Sequence, residues 1–400
     1  MTRKAAATLL LVAGALVAPL LGASSPVSAQ GGAAVPACSA VGWREVVDGA
    51  GDGMGSVSSL AGANDSARMY AGSRLRESPP GQAHDTLYSW PTTDPVFRAE
   101  ATVSDFRITD VLATPRRATT LWASTLGTGD SFRGPVLGGT SGSDLSARGT
   151  LRSWFMKLAS TDSDVLVAVT EPSSMGVYRW DAFGDEWQLV GGDTIGTTLF
   201  RALESGPDGR LWIGADRSGV WRSADAGATW QLTTDSLLPV TPWTIAVSPG
   251  DPNLVIAGLG KPEADVGVGG YPRGVRTSRD GGDSWQSPAP GEGANRNDQL
   301  MDAELVTALV FGQREPSTVV AAAWSDGLFV SRDGGSTWQY MTTPAGQHGY
   351  FEALATIVPA EAPECELLFA AGANGVWYRN LYGTFETVYV PLATKKVPLP

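Results

Sequence analysis

Histidine and cysteine are scarce in this chain of 400 residues. His84 and His348 are its only histidines, and Cys38 and Cys365 are its only cysteines. Two isolated histidines argue against a Ser-His-Asp triad and against a zinc site rich in His. No P-loop and no dinucleotide-binding glycine motif follows a predicted strand. We therefore expect neither a bound metal nor a cofactor.

Positive charge is also in short supply. Asp and Glu outnumber Lys and Arg by 41 to 29, so the formal net charge is −12. Proteins that bind the phosphate backbone of nucleic acids carry clustered Lys and Arg side chains. The composition therefore argues against a nucleic-acid partner.

Long apolar runs are absent except near the N-terminus. Residues 1–29 have the three parts of a secretory signal, namely Arg3 and Lys4, an apolar run over residues 5–21, and small residues over 26–29. An uncleaved anchor is the alternative, since the run approaches the length that spans a bilayer. We expect a secreted, extracytoplasmic protein with no other membrane contact. Its segments are then a signal peptide at 1–29, a linker at 30–40, a repeat domain at 41–390 and a tail at 391–400.

One octapeptide occurs three times, at residues 223–230, 278–285 and 331–338. Each copy fits the pattern S-x-D-x-G-x-[ST]-W and follows a segment typical of a β-strand. The Trp residues that end the copies are 55 and 53 positions apart. Repeats of roughly this length indicate propeller blades or the turns of a solenoid.

A second element, a polar turn followed by a short apolar strand, occurs seven times. Its turns use Asp, Pro, Asn and Gly, and its strands carry β-forming residues, as hairpins require. The copies begin at Asp65, Arg116, Asp162, Pro207, Asp251, Glu315 and Pro363. Seven copies predict seven structural units.

Each unit is predicted to contain four short strands. In the fourth unit they cover residues 199–203, 211–215, 219–223 and 230–233. Four-stranded antiparallel units arranged radially form a β-propeller, which leaves only short, protected edges. We therefore predict an all-β fold, a seven-bladed β-propeller of four-stranded antiparallel blades. An open β-solenoid is the alternative, although its repeats are shorter than these.

The octapeptide lies between the third and fourth strands of a unit, so it is predicted to be a hairpin loop. Each of its residue types has a structural role there. Its Asp accepts N–H bonds within the turn, its Gly supplies positive φ, and its Trp buries its ring between sheets. These residues are Asp225, Asp280 and Asp333, then Gly227, Gly282 and Gly335, then Trp230, Trp285 and Trp338. The motif weakens toward the ends of the array, where residues 180–187 carry Ala182 in place of the Asp.

The octapeptide resembles the Asp-box, or bacterial neuraminidase repeat. This repeat occurs in sialidases, sortilin-type receptors, xyloglucan-degrading glycoside hydrolases and the photosystem II assembly factor type. The resemblance covers the last five units and is specific for a propeller rather than for an activity. In those families the boxes lie on the rim, away from the ligand site, and this implies the same position here.

The enzymes among these families fit poorly. Sialidases imply an Arg-Ile-Pro segment and six blades, whereas residues 106–109 lack the Pro and seven units are counted here. The xyloglucan-degrading enzymes resemble two fused propellers, and this chain has room for one.

An extracellular glycoside hydrolase or lyase would still need two convergent carboxylates. The candidates for this alternative are Asp298, Asp302 and Glu304, which also fit a solvated acidic loop.

Propeller ligands bind in the concave mouth of the central channel, on the face opposite the octapeptides. Aligning the predicted first strands places five residues in one column near that mouth: Asp110, Arg201, Ile245, Thr307 and Glu352. Four aromatic residues lie in or beside the adjoining loops: Trp243, Tyr271, Trp324 and Tyr350. Charged residues beside aromatic anchors predict a binding surface, although ion pairing between blades would also explain the charges. We expect a monomeric, non-catalytic binding or scaffold module for a protein or carbohydrate ligand.

Cys38 and Cys365 lie near opposite ends of the predicted repeat domain. In an oxidising compartment they are candidates for a disulfide that clasps the ring, and two free thiols are the alternative. Residues 43–47 resemble a last strand for the final blade, and residues 385–390 compete for the same place.

Overall fold

The computed structural model describes most of the chain after residue 41. The described residues are 42–46, 56–63, 68–74, 84–91, 97–104, 106–114, 121–127, 134–153, 156–161, 165–169, 176–191, 199–233, 240–260, 274–288, 300, 303, 305–324, 326–343, 350–373 and 375–383. They include 27 β-strands and a short 3-10 helix at Gly142–Asp144. No helix within these ranges is long and apolar enough to cross a membrane.

The strands form antiparallel sheets that follow one another along the chain. The first sheet contains β2 (Ser56–Ala63), β3 (Arg68–Arg74), β4 (His84–Pro91) and β5 (Arg98–Ser104). The second contains β6 (Phe106–Ala113), β7 (Leu121–Gly127), β8 (Gly134–Gly139) and β9 (Ser146–Ser153). The third contains β10 (Met156–Ser160), β11 (Val165–Val169), β12 (Gly176–Asp181) and β13 (Glu186–Val190). The fourth contains β14 (Phe200–Ser205), β15 (Leu211–Ala215), β16 (Gly219–Ser223) and β17 (Gln231–Leu232).

The remaining sheets continue this meander. The fifth contains β18 (Thr241–Val247), β19 (Val255–Gly260) and β20 (Val275–Ser278). The sixth contains β21 (Val306–Phe311), β22 (Val319–Ala323), β23 (Gly327–Ser331) and β24 (Gln339–Met341). The last contains β25 (Phe351–Ile357), β26 (Leu367–Gly372), β27 (Gly375–Asn380) and, from the start of the described chain, β1 (Arg44–Val46).

The all-β propeller prediction and the four-stranded antiparallel blade are confirmed, but the predicted count of seven such blades is wrong. Among the described residues, six sheets have four strands, and the fifth has three. At the place of its fourth strand, Gln286 makes only an isolated bridge to Thr277. Pro288 and Pro290 follow closely, and Pro cannot donate to a strand ladder.

The sheets close into a ring. Their first strands contact one another in chain order, and β25 contacts β2. Buried apolar clusters lie between successive sheets, and one cluster joins the last sheet to the first through Val57, Met69, Phe369 and Tyr378. Each sheet therefore buries both faces against its neighbours, which is why its strands are rich in Val, Ala, Leu and Trp.

The strand β1 completes the last sheet by pairing with β27. Arg44, Glu45 and Val46 lie opposite Tyr378, Trp377 and Val376. Trp43 packs against the adjoining apolar cluster and donates its indole N–H to the carbonyl of Thr342. The predicted last strand at residues 43–47 is thus found at 44–46, while its competitor at 385–390 lies outside the described residues.

The three octapeptides form hairpin loops with the same hydrogen bonds. In the fourth sheet, the Asp225 carboxylate accepts bonds from the Ser223 hydroxyl at 2.7 Å, the Thr229 amide at 2.8 Å and the Thr229 hydroxyl at 2.6 Å. Asp280 and Asp333 accept the corresponding bonds in the next two sheets. Hydrogen bonds from Ser284 lower the pKa of Asp280 to about 2. Gly227, Gly282 and Gly335 have φ of 86°, 94° and 84°, a region that favours glycine.

The degenerate copy at residues 180–187 has a different structure. Trp180 pairs with Trp187 and Asp181 with Glu186, so the ladder of β12 and β13 continues to a turn at residues 182–185. The two Trp rings pack against each other and against Trp122 of the preceding sheet, with centroids 5.1–5.9 Å apart. Phe183, at the tip of the hairpin, is fully exposed.

The substitution Asp280→Asn tests the carboxylate as the brace of its loop. An amide cannot replace both oxygen atoms as acceptors, so we expect the free energy of unfolding to fall by about 1–2 kcal/mol. Asp185→Asn is the matched control, because it removes one charge from an exposed loop between the same two strand positions. Urea unfolding at neutral pH should leave the control within about 0.5 kcal/mol of the wild type. Equal losses in both variants would contradict the brace.

Candidate functional site

Six of the seven described first strands, all except β10, share a β-bulge near the start of the strand. The ladder register slips by one residue at Ser58, Thr109, Arg201, Trp243, Thr307 and Glu352. We call these six residues the bulge ring. An extra residue bends a strand and re-aims its side chains, and bulges are over-represented beside functional sites.

The bulges correct the column predicted from the sequence. Arg201, Thr307 and Glu352 share the bulge position, but Asp110 lies one residue beyond its own bulge and Ile245 lies two beyond. Trp243 and Thr109 take their places in the ring. The position of a bulge depends on the pairing of strands, so spacing counted along the sequence does not reveal it.

Hydroxyl groups of the bulge ring join neighbouring sheets. Ser58 donates to the carbonyl of Ile108 at 3.0 Å, and Thr307 donates to the carbonyl of Phe351 at 2.6 Å. Each acceptor lies directly before the bulge of the next sheet. At these positions the bulge therefore acts as a fastener between blades.

Arg201 and Trp243 make a different contact between neighbouring sheets. The guanidinium carbon lies 4.6 Å from the centroid of the indole ring, which is the geometry of a cation–π interaction. Both side chains line a central cavity of about 300 Å³, to which the first strands of six sheets contribute. The cavity is the concave feature in which a ligand group could be held.

Asp110 lines the same cavity but is held by three neighbours. Its carboxylate accepts bonds from the Ser59 hydroxyl and the Leu158 amide, each at 3.0 Å. The Lys157 ammonium lies 3.7 Å from one of its oxygen atoms. These contacts tie together the first, second and third sheets, so Asp110 joins blades as the ion-pairing alternative predicts.

Glu204 is a cavity residue that the sequence analysis missed. Its register position in the other first strands holds Ala61, Leu112, Ala159, Ala246, Val310 and Ala355. Burial raises the pKa of Glu204 to about 7, and the charge of Asp110 adds to the rise while Lys157 and the Ser205 amide oppose it. The signal that could have identified Glu204 was a single acidic residue at a register position that is aliphatic in the other first strands.

Trp324 and Tyr350 form an exposed aromatic pair. Trp324 follows β22 and donates its amide to the carbonyl of Leu305, and Tyr350 directly precedes β25. Their ring centroids are 5.2 Å apart and their planes meet at 80°. The rings remain 40% and 47% exposed, although they touch each other.

The aromatic pair lies on the bulge side of the ring. In the sixth sheet, Ala323 pairs with Val306 beside the Thr307 bulge, whereas Ser331 of the octapeptide pairs with Val319 at the opposite strand end. We call the two sides the bulge face and the octapeptide face. The predicted aromatic residues Trp243, Trp324 and Tyr350 therefore lie together with the bulge ring on the bulge face.

The other predicted site residues fall outside the described part of the chain. These are Tyr271 and the acidic candidates Asp298, Asp302 and Glu304. Within the described ranges, no three His, Cys, Asp or Glu side chains converge as a metal site. What the described cavity offers is a mixture of cation, carboxyl and aromatic groups suited to binding.

Glu204 should make stability depend on pH. Its pKa is higher in the folded chain than the ordinary value, so folded protein binds the extra proton between pH 4.5 and about 7 and loses stability as pH rises through that window. We expect Glu204→Gln to be more stable than wild type by roughly 1–3 kcal/mol at pH 8 and nearly equal at pH 4.5. Denaturant unfolding at both values measures this, with Glu186→Gln as the exposed control. A variant that gains nothing at pH 8 would contradict the assignment.

No protein-family model and no curated protein matches this sequence. Solved structures do match it. YCF48 bound to D1 peptide is 15% identical with a TM-score of 0.55, and the match covers 84% of this chain and 96% of that one. YCF48 from Cyanidioschyzon merolae is 12% identical with a TM-score of 0.51, covering 84% and 98%.

A third structure is a GH74 xyloglucanase from Xanthomonas campestris. It is 16% identical with a TM-score of 0.58, and the match covers 86% of this chain but 54% of the enzyme. This chain thus spans about half the length of the xyloglucanase. At such identities the likeness concerns the fold alone. It agrees with the β-propeller fold predicted from the octapeptide and identifies no particular family.

Proposed function

We propose that this chain is an exported, monomeric propeller that binds a protein or carbohydrate ligand on its bulge face and performs no chemistry on it. The exposed pair of Trp324 and Tyr350 carries this proposal. Large aromatic side chains in mutual contact yet open to solvent are typical of binding surfaces, since they bury much apolar area when a partner covers them. The cavity beside the bulge ring gives the same face a concave centre.

The octapeptide face is the less suitable side. Its Asp carboxylates and Ser and Thr hydroxyls are already engaged within their own loops. Arg279 also reaches from one loop to the Asp333 and Gly334 carbonyls and the Ser336 hydroxyl of the next. Polar groups that are satisfied internally have little to offer a ligand. The predicted Asp-box role of these loops fits such a brace.

The compared structures are consistent with a binding role. One was solved with a peptide, and another is a xyloglucanase. Both ligand classes therefore occur on this fold. A hydrolase needs two convergent carboxylates. Of the two carboxyl groups that line the described cavity, Asp110 is committed to contacts between sheets, which leaves Glu204 without a second carboxylate for such a reaction. Binding is accordingly the function we favour.

Loss of the aromatic pair should remove ligand binding. Immobilised wild type, the double variant Trp324→Ala and Tyr350→Ala, and the control Phe183→Ala are exposed to the native exoproteome and to a polysaccharide panel. Phe183 is an even more exposed ring on the octapeptide face, so its loss tests non-specific adsorption to exposed aromatic surface. We expect the double variant alone to lose ligands retained by wild type. Retention by all three proteins, or polysaccharide cleavage abolished by Asp302→Asn, would contradict the proposal.

Export would allow the two cysteines to join. Cys365 is buried, 2% exposed, while Cys38 lies outside the described residues. We propose a Cys38–Cys365 bond that fastens the segment ahead of β1 to the final sheet. It would stabilise the fold by roughly 4–5 kcal/mol in the loop-entropy estimate. Thiol titration of the unreduced, denatured protein should find none, and two reactive thiols would rule the bond out.

A further inference from the structure

The aromatic pair has a shape that discriminates between ligand classes. Trp324 and Tyr350 meet edge to face, with their planes at 80°. Two perpendicular rings form a corner with one ring face on each wall. In such a corner a pyranose can stack on one ring face only, whereas a cation is attracted to the negative face of each ring it approaches. The corner therefore suits a positively charged group better than a sugar.

An acidic residue follows each of the two aromatic residues closely in the sequence. Asp326 follows Trp324 by two residues, and Glu352 of the bulge ring follows Tyr350 by two residues. Both acids are part of the bulge-face ends of the sixth and last sheets. The chain as a whole carries a formal charge of −12, which attracts basic partners over longer distances. Charge and ring geometry thus favour the same class of ligand.

We propose that Trp324 and Tyr350 receive a cationic side chain, arginine above all, from a basic peptide segment of a protein partner. A planar guanidinium can stack on one ring while its N–H groups meet a carboxylate. The inference rests on the proposed function and narrows it, because it selects a protein ligand over a carbohydrate.

The probe is a blocked tetra-arginine peptide, titrated into the full chain by calorimetry. Tetra-citrulline, which has the same shape without the charge, is the matched ligand control. We expect Trp324→Leu to weaken tetra-arginine binding roughly five- to thirtyfold, because the π face is lost while bulk and net charge are kept. Phe183→Ala also keeps the net charge, and it should bind tetra-arginine like wild type.

A second pair of variants tests the carboxylate. Glu352→Gln and Glu186→Gln each remove one negative charge, but Glu186 is exposed on the octapeptide side of the third sheet. We expect Glu352→Gln to weaken tetra-arginine binding several-fold more than Glu186→Gln. Equal effects would mean general attraction to an acidic protein and would overturn the proposal.

The outcomes separate this inference from the proposed function. Tetra-citrulline binding as tightly as tetra-arginine, or tetra-arginine binding unaffected by Trp324→Leu, overturns the cation receptor. Absence of tetra-arginine binding at millimolar concentration does the same. If a neutral xyloglucan oligosaccharide then binds wild type but not Trp324→Leu, the pair is a ligand site of the other class and the proposed function stands.

Discussion

The last sheet depends on its pairing with three residues from the start of the described chain. Arg44, Glu45 and Val46 form the outer strand of a sheet whose other strands come from residues 351–380. Without β1 the strand β27 would be an open edge, and the last sheet would lose its tie to the start of the chain. Every first strand touches two others, and the apolar clusters run around the whole ring. The ladder of β1 and β27 adds to this closure by pairing residues 44–46 with the last sheet.

The inner edge of the ring is built on the bulges, which serve structure and site together. At Ser58 and Thr307 the bulge aims a hydroxyl at a carbonyl of the next sheet. At Arg201 and Trp243 larger side chains replace the hydroxyls and meet across the same kind of junction. The bulge position that carries a bridging hydroxyl in some sheets therefore carries a large or charged side chain beside the cavity in others. The residues that line the cavity can therefore differ from sheet to sheet, because the hydroxyl groups at other bulges still bond to the neighbouring sheets.

Repeat units were readable from the sequence because turn chemistry is local. In the fourth sheet the second and third strands begin and end at the predicted residues, and the outer two differ by one or two. The Asp, Gly and Trp of the octapeptide each meet a requirement of one loop, so spacing alone revealed them. The bulges depend instead on pairing between strands, which no single segment records. For that reason Asp110 and Ile245 were placed in the wrong column and Glu204 was overlooked. The hairpin at residues 180–187 was misread because its Gly and Trp residues resemble those of the octapeptide. In the structure, Trp180 and Trp187 pair in a regular ladder instead.

The two faces of the ring differ in what their polar groups are free to do. On the octapeptide face, carboxylates at low pKa accept several bonds from their own loops, and exchanging those bonds for a ligand would gain little. On the bulge face, aromatic surface stays open to solvent and its burial would be gained in full on binding. Between them, Glu204 holds a carboxyl group inside the cavity, and its burial lowers the stability of the fold once the group ionises. An aliphatic residue occupies this register position in the other sheets, so folding alone does not require the acid. Packing between the sheets therefore does not explain the acid at this one position.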